Sequence, residues 1–92
     1  MEPERDRVIE LRNPDLLWRK IDGDLVALDG RTWEYMTVND AGRLVWEALA
    51  EGSTRSRLIE LLVETYGITS ATANHDVEEF LDMMRQQDLI SE

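Results

Sequence analysis

The chain has 92 residues, and its 20 Asp and Glu against 10 Lys and Arg give a formal charge of −10. That length fits one domain with a modest core rather than a deep enzyme cleft under its own lid, and the negative field disfavours phosphate backbones while favouring basic partners. With no cysteine there is no disulfide, thiolate nucleophile or Cys-based zinc site. No apolar run approaches the roughly 20 residues that span a bilayer, so the expected location is the cytoplasm.

Residues 1–13 are mostly charged, with Ile9 and Leu11 as the plausible anchors, and read as a mobile N-terminal arm before a domain over 14–92. They lack the basic end and apolar middle of a signal peptide. Three strand-like runs follow: "LLWRKI" at 16–21, "LVAL" at 25–28 and "TWEYMTV" at 32–38. Asp22-Gly23 and Asp29-Gly30 separate them, and Asp-Gly supplies the positive φ angles of tight hairpin turns. The simplest topology is a three-stranded antiparallel meander with the third strand at an edge.

From Asn39 the period becomes helical. Ala41, Leu44, Val45, Ala48 and Leu49 form the stripe of a first helix capped by Asn39 and stopped by Gly52. Ser53 or Thr54 caps a second, with Leu58, Leu61, Leu62 and Tyr66 on one face and Gly67 at its end. The third starts near Thr69 or Ser70, carries Ala73, Val77, Phe80, Leu81 and Met84, and ends by Gln87 before an apolar Leu89-Ile90. Of its flanks, one holds Asn74, Glu78, Leu81 and Arg85; the other holds Asp76, Glu79 and Met83.

No catalytic constellation can be assembled. A lone His75 builds no metal site of the usual spacing, and the many carboxylates, such as Glu78, Glu79 and Asp82, read as a solvated acidic face. The expectation is no enzyme, no metal and no cofactor. Trp18 reads as either a cover for the sheet or a contact.

Three segments together resemble the PqqD-like family of peptide-recognition elements from ribosomal peptide-modification pathways. They are "YMTVND", similar to the family's aromatic strand leading into Leu-Asn, "RLVWEALAEG", similar to its Ile-Trp-Glu-Leu-Leu helix with a terminal Gly, and "DVEEFLDMMRQQDLI", similar to its closing apolar pattern. The chain departs with Val38 and Met84 where Leu is usual, and both keep an apolar side chain. The resemblance covers about residues 16 to 90, and it implies that Trp46, at the position of the family's helix Trp, is core and that Trp33 is a candidate peptide anchor.

That resemblance implies an α+β, winged-helix-like fold, a three-stranded antiparallel sheet followed by three helices. It further implies that the leader segment of a precursor peptide adds as a strand to the third strand, in a cleft closed by the third helix. The implied peptide site is Trp33, Glu34, Tyr35, Met36 and Thr37 on the strand with Asn74, Val77, Glu78, Leu81, Asp82 and Arg85 on the helix. Period leaves open which parity of the strand packs on the helices, with Val38's lead into the first helix favouring Glu34 and Met36. The implied partners are a leader peptide and separate modifying enzymes, a leader protease or a radical enzyme. A chain of this size ending at Ile90-Ser91-Glu92 resembles the discrete elements of lasso-peptide systems. A winged-helix DNA-binding regulator is the competing reading, and only Arg55 and Arg57 approach the basic stripe it needs.

Overall fold

A computed structural model describes residues 7–12 and 15–92. In chain order the elements are β1 (Glu10–Leu11), β2 (Leu16–Ile21), β3 (Asp24–Asp29), β4 (Glu34–Val38), α1 (Asp40–Glu51), α2 (Arg55–Tyr66), α3 (Ser70–Gln86) and β5 (Ile90–Ser91). The fold is α+β, with β2-β3-β4 as an antiparallel meander and β1-β5 as a separate two-stranded pair.

The first hairpin turns as expected. Asp22 and Gly23 hold φ of 51° and 88°, the paired positive angles of a tight hairpin turn. The second does not. Its positive φ belongs to Trp33, at 63°, whose N–H donates to the Asp29 carbonyl at 2.7 Å, so β4 starts at Glu34 and Trp33 lies in the turn. Gly30 serves closeness instead: a Cβ there would lie 2.8 Å from the Asp15 carbonyl oxygen, to which its N–H donates.

All three helices have side-chain N-caps. Asn39, Thr54 and Thr69 accept from the backbone N–H of Gly42, Arg57 and Thr72 respectively, and Gly67 closes α2 in the left-handed conformation. Gly42 lets α1 approach the strand that feeds it, because a Cβ there would overlap the Val38 side chain and crowd Phe80.

The helices cover one face of the sheet. Leu25, Ala27 and Val38 meet Val45, Trp46, Leu49, Leu58, Leu62, Ala73, Val77, Leu81 and Met84 in one core. Trp46 is fully buried, as its place in the first helix implied, and the half-exposed Trp18 of β2 packs edge-on against it with ring centroids 6.2 Å apart.

Of the expected arm, residues 1–6 and 13 lie outside the described residues. Ile9 to Leu11 belong to the folded unit: Ile9 is fully buried and exchanges backbone hydrogen bonds with Ser53, while Leu11 pairs with Ile90. Isolated anchors in a charged segment give no period, so this pairing with the far end of the chain was not readable locally.

Candidate functional site

Among the described residues both outer strands of the meander have a free edge, and their surroundings differ. β2 carries Arg19 and Lys20, charges of the kind that blunt an edge, and Lys20 is tied to Glu47 of α1 at 3.0 Å. β4 reads Glu-Tyr-Met-Thr-Val, without lysine or proline. A groove of about 470 Å³ runs beside it, lined by Glu34, Tyr35, Met36 and Thr37 from β4 and by Met83 and Gln87 from the end of α3.

The parity of β4 is now visible. Val38 is buried and Met36 half-buried on the helix side, whereas Tyr35 points away and is 73% exposed. Tyr35 stands across from Leu28, which stands across from Leu17, so the open face of the sheet carries an apolar row. Trp33, 76% exposed in its turn, precedes the strand instead of alternating within it.

The helical half of the expected site is divided by the phase of α3. Val77 and Leu81 have no exposed surface and are core. Asn74 lies toward α2, lining a hollow with Ser56, Ile59 and Val63. Glu78, Asp82 and Arg85 occupy the flank away from β4, in a network reaching α2 and the end of the chain. The side chains that do reach the groove system are on the opposite flank: Asp76, Glu79, Phe80, Met83 and Gln87. The buried stripe sets this phase, since residues on either side of Val77-Leu81-Met84 must face opposite ways around the cylinder. The available signal was Phe80 and Met83, apolar side chains too many for a stripe already filled.

Ion pairs hold the far flank. Arg55 Nε meets Glu78 Oε2 at 2.6 Å, and Arg85 Nε meets Glu92 Oε2 at 2.5 Å while its other nitrogen bonds Asp82. The bond from Arg85, with help from Arg55, holds the Glu92 carboxyl below its ordinary range. At the Glu34 end of the groove, Arg31 joins the turn to the helix. Its Nε donates to buried Asp29 at 3.3 Å, and its Nη atoms donate to the Asp88 carboxylate at 3.1 Å and the Gln87 carbonyl at 3.1 Å. Those bonds to Asp29 and Asp88 raise the guanidinium above its usual value.

At the other end the groove opens past Met83 into a trough of about 380 Å³ between α1, α2 and α3. Among the described residues no group of His, Cys, Asp or Glu could hold a metal ion, and no helix is long and apolar enough to cross a membrane. His75 is exposed, with Nε2 3.2 Å from Glu79. Arg57 pairs with Glu60 at 2.8 Å and Arg55 with Glu78, so the two arginines nearest to a basic stripe are both engaged.

Beside the edge of β4, then, stand one apolar and one polar side chain of the third helix, Met83 and Gln87. TbiB1 in complex with the TbiA(beta) leader peptide has the same fold, with a TM-score of 0.81 and 21% identity over 89% of this chain and 94% of that one. Lasso peptide synthetase B1 complexed with the leader peptide gives 0.80 and 24% identity over 91% of this chain and 98% of that one. No curated protein matches significantly. Residues 24–90 match the family described as coenzyme PQQ synthesis protein D (PqqD), and with that match running from β3 through β4 and all three helices, the chain belongs to the PqqD family.

Proposed function

We propose that this protein is a non-catalytic adaptor that captures the leader segment of a ribosomally made precursor peptide and presents it to separate modifying enzymes in the cytoplasm. The observation that carries the reading is the free edge of β4 beside the wall formed by Met83 and Gln87. Unpaired N–H and C=O groups along five residues, about 17 Å of strand, offer the backbone ladder of β-augmentation, and alternate side chains supply specificity. Met36 and Met83 present soft apolar surface to the inward residues of the added strand, and Tyr35 to the outward ones. The likeness of fold to two chains complexed with leader peptides supports the same reading, with a leader protease of a lasso-peptide system as the first candidate among partner enzymes.

Titration of synthetic lasso-precursor leader peptides against a duplex DNA control, over a salt series, tests it. Binding of leader and not of duplex is expected, with basic leaders favoured over charge-neutralised analogues and the difference shrinking as salt rises. Tight duplex binding with a steep salt slope would establish the DNA-regulator reading instead.

A further inference from the structure

We infer that the trough between the three helices is a subsite for one lysine or arginine side chain of the bound peptide, located just beyond the stretch paired to β4. The inference rests on strand addition at β4 and specifies what that site selects.

Met83 joins the two cavities, because it lines both the groove along β4 and the trough. A peptide strand laid on β4 and running toward Val38 therefore leaves the strand edge at the mouth of the trough. The trough adjoins a second hollow of about 500 Å³, with which it shares Asn39, Ala41, Leu62 and Asp76. Its walls are apolar, from Ala41, Leu62, Phe80 and Met83, and its rim carries Asp76 and Glu79, with Asp40 and Asp24 along the adjoining hollow.

Part of the acidic surface is compensated within the molecule, and the rim belongs to the part that is not. Glu47, Glu60, Glu78, Asp82, Asp88 and Glu92 each meet a lysine or arginine. Among the described residues Asp24, Asp40 and Asp76 meet none, and Glu79 meets only the imidazole of His75. An apolar floor beneath uncompensated carboxylates is complementary to one kind of side chain, a long methylene stem ending in a cation, which buries its stem and keeps its charge at the rim. A neutral apolar residue would fill the floor and leave the carboxylates unmatched. An acidic one would be repelled.

The test is parallel selection of a displayed library of random 20-residue peptides on the wild-type protein and on Asp76→Asn/Glu79→Gln, both substitutions lying on exposed positions. Unchanged circular dichroism melting of the variant confirms that it folds. Peptides selected on wild type are expected to share an alternating apolar stretch followed at fixed spacing by Lys or Arg, and those selected on the variant to keep the stretch and lose the basic position. Replacing that basic residue by Gln in a selected peptide should weaken wild-type binding about 5-fold at low salt and leave variant binding unaltered. An alternating stretch with no basic residue at fixed spacing on wild type would overturn the subsite and leave strand addition standing. If wild type selects no alternating stretch at all, both readings fall.

Discussion

The two flanks of α3 carry the same kinds of residue and use them in opposite ways. On one, Glu78, Asp82 and Arg85 are spent on the molecule itself, bound to Arg55 and Glu92 so that α3, the start of α2 and the end of the chain hold together. On the other, Met83 and Gln87 line the groove beside β4, Phe80 and Met83 line the trough, and Asp76 keeps its charge uncompensated among the described residues. A charge that is already paired costs energy to recruit, and one that is not is available to a ligand. On the proposed reading, one flank serves cohesion and the other recognition.

The comparison breaks most completely through the stripe that separates the flanks. Leu81→Asp or Val77→Asp buries an unpaired carboxylate where no surface is exposed. The cost, above about 3 kcal/mol in a domain holding about 5–10, should abolish the cooperative melting transition seen by circular dichroism. Survival of a normal melt with peptide binding lost would place these residues in an open cleft after all.

A proline scan of Glu34, Tyr35, Met36 and Thr37, each with an alanine control, addresses the recognition side. Successive N–H groups of β4 point alternately to β3 and outward. Prolines at one parity should lower the melting temperature by removing a ladder bond; at the other they should weaken leader binding about 3- to 10-fold while the melt stays close to its control. Absence of alternation would move the peptide away from this edge.

Arg55→Met separates the flanks by a smaller margin. It removes the pairs to Glu78 and Glu92, whose side chains are partly buried, and should cost about 1–2 kcal/mol in urea unfolding without altering peptide affinity. Reduced affinity in a stable variant would mean that the far flank also recognises peptide.

The smallest effect is in acid. The Glu92 carboxyl titrates below its ordinary 4.5 in the folded chain, chiefly because Arg85 donates to it. Its contribution is therefore present above that ordinary value and is lost as pH falls through the depressed one. The gap in melting temperature between wild type and Arg85→Met should narrow over that interval and stay constant at neutral pH.

Much of this architecture was legible locally. Leu16–Ile21 shows strand composition between turn signals, and Asn39, Gly52 and Gly67 punctuate the helices where capping chemistry puts them. Two failures have one cause, the dependence of orientation on distant packing. Asp29-Gly30 looked like the corner of the second hairpin, yet Asp29 is buried against Arg31 and Gly30 is pressed on Asp15, so the corner moved to Trp33. The helical stripe of α3 was visible, but which flank turns to β4 depends on how α3 rolls on α1 and α2, and the helix's own sequence does not state that. The expectation for the inward parity of β4, argued from Val38 alone, agrees with the observed burial because Val38 leads directly into a helix whose side of the sheet is covered.

Gly42 connects fold to selectivity through a missing methyl group. The first turn of α1 rests on Val38 and Phe80 only because nothing projects from that position, and Gly42 and Phe80 themselves line the trough. Substitution by alanine would act as a spacer: Val38, which the added methyl would overlap, must yield first and Phe80, at 3.1 Å, after it, so the end of β4 and the trough shift together. On the proposed reading, the size of one side chain in α1 would then retune which peptides fit beside β4.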